Sequence, residues 1–166
     1  MGIKNKLKNC LKEGERGERH KGLRKIQVSQ EIVEGHVKKA IHNFNAIEVF
    51  HRVGYSDWSA SASFYSLYHL LLALAAKFGF ESRNQSCTFA LIGDLIEKKE
   101  ISLTKEELKE ISDKDVTEDL QHSNKILDIR ENMQYSIKTS LNEQEFLSLK
   151  ERTKALFGKL RSEVER

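Results

Sequence analysis

The stretch Ser61-Ala62-Ser63-Phe64-Tyr65-Ser66-Leu67-Tyr68-His69-Leu70-Leu71-Leu72-Ala73-Leu74-Ala75-Ala76 decides the fold. It is the most apolar part of the chain, and it is built from helix formers with neither glycine nor proline. It therefore reads as a core helix. Yet it carries Tyr65 and His69, four residues apart and so on one face, one turn from each other. Two polar-tipped rings beside a core stripe are either a satisfied buried hydrogen-bonding pair or the lining of a site.

Working outward, Ser56 or Asp57 caps this helix and it runs to about Phe78. Its stripe is Ala60, Phe64, Leu67, Tyr68, Leu71, Leu74, Ala75 and Phe78, with Gly79 as the stop. Before it, Ser29 caps a helix reaching Arg52, with Val33, Val37, Ala40, Ile41, Phe44 and Ile47 at helical spacing and Gly54 closing it. The short connection makes the two an antiparallel hairpin. A polar stretch over 81–85 follows, then a short helix over 86–98. Thr104 with Glu107 forms a capping box for another short one. The spacing predicts a long helix over 115–138 with the stripe Ile126, Ile129, Met133 and Ile137. Asn142 with Glu145 opens a last helix whose seam is Phe146, Leu149, Thr153, Leu156, Leu160 and Val164. The expected fold is all-α: an up-and-down antiparallel bundle of four long helices plus one or two short ones.

The absence of proline and the early clustering of Gly14, Gly17, Gly22 and Gly35 agree with this. Charge divides the 166 residues. Residues 1–27 hold nine Lys or Arg against three Glu, a net +6 that leaves −3 for the rest. We therefore expect a basic N-terminal extension over 1–28, mobile or loosely helical, and a bundle over 29–166. A basic arm can contact nucleic acid, or it can be a solvated terminus. It has no aromatic residue for stacking. Cys10 and Cys87 fit no metal spacing, and two reduced thiols are expected. The charged N-terminus lacks the apolar core of a signal peptide, and the longest apolar run, 70–76, is too short to span a bilayer. A cytoplasmic protein without membrane contact is expected.

Several sites are missing from the sequence: a glycine-rich phosphate loop, an H-E-x-x-H pair and a G-x-S-x-G elbow. None of the six histidines pairs with another His or Cys at metal-ligand spacing, so neither a metal nor a cofactor is expected. Two places remain. One is Tyr65 with His69, where an imidazole titrating near neutrality would suit acid–base work. The other is Asp128-Ile129-Arg130-Glu131-Asn132-Met133-Gln134-Tyr135. Arg130 flanks the apolar stripe and shares a face with Gln134, whereas Tyr135 lies about 140° round an ideal helix from it. On spacing alone, ordinary ion pairing of Arg130 and a rim position for Tyr135 account for this segment.

In order and spacing, Gly54-Tyr55-Ser56-Asp57-Trp58, Phe64-Tyr65-Ser66-Leu67-Tyr68-His69 and Ile129-Arg130 to Tyr135 resemble the HEPN domain family, and more closely its small stand-alone prokaryotic branch. The resemblance covers about residues 29–164. It implies a helical bundle that commonly dimerises. Many such proteins are metal-independent ribonucleases, some of them toxins neutralised by a partner nucleotidyltransferase. The family's catalytic signature is an Arg followed four to six residues later by His. Arg130 matches the Arg, Asn132 is a nearby polar residue, and Tyr135 stands at the His position. No His follows Arg130. A tyrosine, with an ordinary pKa of about 10, is a poor base. Gln134 replaces the usual Asp. The resemblance thus implies a homodimer that binds RNA or a nucleotide, in a toxin–antitoxin or defence setting, with Tyr65, Asn132 and Gln134 as binding residues. One alternative is a weak metal-independent endoribonuclease using Arg130, Tyr135 and His69. Another is a protein–protein interaction module. The four side chains Tyr65, His69, Arg130 and Tyr135 are expected to line one partly exposed cleft, within one chain or shared across the dimer.

Overall fold

The structure is a computed structural model, and it describes residues 2–111, 126, 130 and 133–166. The elements run α1 (Ile3–Gly14), β1 (Leu23–Lys25), α2 (Gln30–Arg52), α3 (Ser56–Lys77), β2 (Phe80–Ser82), α4 (Gln85–Glu97), α5 (Lys105–Lys109) and α6 (Glu143–Glu165). Residues 126, 130 and 133–135 are also helical. The fold is all-α with one minor two-stranded sheet.

The capping signals act locally as expected. The Ser29 side chain accepts from the Ile32 N–H, and both capping boxes, Thr104 with Glu107 and Asn142 with Glu145, are formed. At α3 the expectation is corrected. Tyr55 is the N-cap residue, and its side chain makes no capping hydrogen bond. Ser56 instead uses its hydroxyl to accept from the backbone N–H of Leu141, 2.7 Å away, tying α3 to the chain entering α6.

Helix α3 is the centre of the molecule and is buried well beyond its apolar stripe, because Ser59, Ser63 and Ser66 are buried too. Small side chains let neighbouring helices approach, and each hydroxyl has a partner. Ser59 donates to the Ile47 carbonyl of α2 at 2.7 Å, Ser66 donates to the Ser63 carbonyl at 2.7 Å, and Ser63 pairs with Thr153 of α6. Satisfied hydroxyls remove the penalty of burying them. By length and composition α3 could cross a membrane, but 78% of its apolar window is buried inside the bundle, as in a core helix. Phe64, Leu67, Leu71 and Met133 are buried as expected, whereas Ile129 lies outside the described residues. Ile137 is not core: it follows the helical residues 133–135 and is fully exposed.

The N-terminal segment corrects two expectations. It is not a loose arm. Helix α1 packs on α4, with Ile3 lying against Gly93 and with Leu7 and Leu11 against the core, and β1 pairs antiparallel with β2 in the register Leu23↔Ser82, Arg24↔Glu81 and Lys25↔Phe80. The early glycines serve this packing. A Cβ on Gly14 would lie 1.9 Å from the Leu23 carbonyl oxygen, and one on Gly22 would lie 2.4 Å from that of Cys10. Buried His20 donates from Nε2 to Glu81 at 2.8 Å, while its Nδ1 accepts from the Gly22 N–H; Arg24 and Arg83 close on the same carboxylate. The cysteines are not free thiols either. Cys10 and Cys87, 77 residues apart in sequence, form a disulfide with a Cα–Cα distance of 5.8 Å. Folding α1 onto α4 is what brings them together, and no local spacing announces it.

Candidate functional site

Residues 58, 61 and 65 follow helical spacing along the outer face of α3. Arg130, Met133 and Gln134, each helical, lie beside that face. Between them lies a cleft of about 470 Å³, lined by Asp57, Trp58, Ser61, Tyr65, Arg130, Met133 and Gln134, with Ser136, Ile137, Lys138 and Thr139 at its rim.

Arg130 is fixed by aromatic faces. Its guanidinium carbon sits 4.0 Å from the centroid of Phe64 and 5.7 Å from that of Tyr65. Phe64 is fully buried and Tyr65 meets it edge-on, so the stack is preorganised. Cation–π contact of this kind is worth about 0.5–2 kcal/mol. Stacking on a ring face does not use the in-plane N–H donors of the guanidinium. Arg130 Nε is buried with no hydrogen-bond partner among the described residues, and Asp57 Oδ1, in the same cleft, is in the same state. At the rim, Lys138 lies 3.5 Å from Glu145.

Of the residues singled out in the sequence, the cleft brings together Tyr65, Arg130 and Gln134. Tyr135 is 80% exposed and does not line it, as its angular offset from Arg130 requires. Asn132 lies outside the described residues. His69 is also elsewhere: its Nδ1 lies 3.2 Å from Nδ1 of His36 on α2, a bond in which one ring donates and the other accepts. Within one chain, the expectation of all four side chains in one cleft is thus corrected for His69 and Tyr135. Burial pushes the His69 imidazole down to about 4, with His36 and Lys39 adding to the shift. Burial lowers His36 as well. Both rings are neutral at neutral pH, so His69 has no titration there. Sequence reasoning overlooked Asp57, Trp58 and Ser61 as site residues. The signal was available, because Trp58, Ser61 and Tyr65 repeat at three and four.

A scan against protein families matches the HEPN domain over residues 33–162. The match spans well over half of the chain, and the protein belongs to the HEPN family. It begins inside α2, leaving α1 and β1 outside it. Membership of this family supports a general nucleotide- or RNA-related function. None of the curated proteins compared with the chain matches it.

Proposed function

We propose that this HEPN protein binds single-stranded RNA or a nucleotide through the Arg130 cleft. The observation that carries the reading is the Arg130 guanidinium held over Phe64 in the wall of the cleft, a fixed cation lining an open site. Forked, charged donors of this kind suit a phosphate. The described lining contains no histidine, and His69 stands on the α2 side with a depressed pKa. That supports binding over acid–base cleavage. The exposed lysines of α1, Lys4, Lys8 and Lys12, recur every four residues and form a second cationic stripe. A homodimer, a nucleotidyltransferase partner and a toxin–antitoxin or defence role are further parts of the proposal, and they rest on the family alone.

Fluorescence anisotropy with a short single-stranded RNA tests the reading. Arg130→Ala should weaken binding at least about tenfold, and Arg130→Lys should recover part of it. Replacing Lys4, Lys8 and Lys12 with Gln should mainly reduce the salt dependence, by about 0.7 in slope for each phosphate that is no longer neutralised. RNA binding that is indifferent to Arg130 would refute the cleft as the site.

A further inference from the structure

Two aromatic rings in the wall of the cleft are exposed: Trp58 at 56% and Tyr65 at 39%, both on α3. They are seven residues apart. Seven residues are two helical turns less about 20°, so both stand on one face of α3, about 10.5 Å apart along its axis. Between them on that face is Ser61, a small residue that also lines the cleft, so the wall between the two rings is low. Tyr65 is braced edge-on by Phe64, and the Arg130 guanidinium carbon lies 5.7 Å from its centroid. Trp58, among the described residues, is stacked on by no ring and no cation.

We propose that this face of α3 is a two-ring stacking platform for single-stranded RNA, with one base on Tyr65, its phosphate on Arg130, and a base further along the same strand on Trp58. This rests on the reading of the Arg130 cleft as a phosphate site, and it makes the ligand a strand of several nucleotides and not a mononucleotide. A mononucleotide has one base and occupies one ring. A stacked strand advances about 3.4 Å per nucleotide, so the two rings are about three steps apart, and fewer when the strand is stretched. A second base of the same strand therefore serves the second ring. Stacking favours no particular base, since every base has a π-face. Gln134 lines the cleft with Arg130, and its amide both donates and accepts, so it too suits any base edge. Binding is thus tolerant of sequence and dependent on length.

Anisotropy of a fluorescein-labelled octauridylate on the full chain, with unlabelled UMP and tetrauridylate as competitors, tests the inference. The tetranucleotide should bind roughly ten- to a hundredfold tighter than UMP, the gain from a second stacked base. Trp58→Ala should remove most of that gain and leave UMP unchanged, with circular dichroism unaltered, and Trp58→Phe should restore part of it. Tyr65→Leu should weaken both competitors. Tetracytidylate should compete within about threefold of tetrauridylate. The chain has one tryptophan, so intrinsic fluorescence reports on Trp58 alone. Tetrauridylate should quench it saturably, and UMP, seated at Tyr65, should leave it nearly unchanged. Equal affinity for UMP and tetrauridylate would overturn the platform and leave the phosphate reading standing. So would tetranucleotide binding that needs Arg130 but is indifferent to Trp58→Ala and leaves the indole unquenched. Octauridylate binding indifferent to Arg130→Ala, or no binding of any of these, would overturn both.

Discussion

Reducing the Cys10–Cys87 bridge should destabilise the protein by several kcal/mol without changing its secondary structure. The bridge closes a loop of 77 residues that contains β1, α2, α3 and β2. Chain entropy gives a stabilisation of about 4.5 kcal/mol for a loop of this size, against about 2–4 kcal/mol typically measured. Taking about 3 kcal/mol and a urea m-value of about 2 kcal/mol/M, the midpoint should fall by about 1.5 M. The assay is urea unfolding followed by circular dichroism, on air-oxidised protein with and without dithiothreitol. The Cys10→Ala/Cys87→Ala double variant serves as a control that cannot re-form the bridge. It should track the reduced protein, because both sulfurs are already buried and α1 keeps its other packing against α4. Coincident midpoints would refute the reasoning. So would two reactive thiols in unreduced, denatured protein.

Three further outcomes are expected. Leu71→Ala should cost about 2–5 kcal/mol in chemical denaturation, since Leu71 is wholly buried in α3; a loss under about 0.5 kcal/mol would place it on the wrong face. Acid should weaken the fold through His69. Its folded pKa is about 4, below its ordinary 6.5, so the unfolded chain takes the proton first. Stability from this group is therefore full above about pH 6.5 and falls as the pH drops toward 4, and His69→Gln should flatten that part of a melting-temperature profile. Thr153→Val should cost about 1–3 kcal/mol by leaving the buried Ser63 hydroxyl without its partner on α6, measured by the same denaturation.

Helix ends were legible because caps are local. Ser29, Thr104 and Asn142 each act within three residues of themselves. The angular argument that separated Gln134 from Tyr135 held too: Gln134 lines the cleft with Arg130, and Tyr135 does not. What the sequence concealed is tertiary. The bridge, the β1–β2 pairing and the His36–His69 contact join residues 77, 57 and 33 positions apart. Tyr65 and His69 share a face of an isolated helix, yet the packing of α2 draws His69 toward His36 while Tyr65 turns to Arg130. The burial of α3 beyond its stripe was hidden by its serines, which look polar until their partners on α2 and α6 are known.

A crystal structure of the protein with a short single-stranded RNA tests the central claim most directly. We predict a phosphate within hydrogen-bonding distance of the Arg130 guanidinium, inside the cleft bounded by Trp58, Tyr65 and Gln134. RNA lying only along Lys4, Lys8 and Lys12 of α1, with nothing in the cleft, would contradict it.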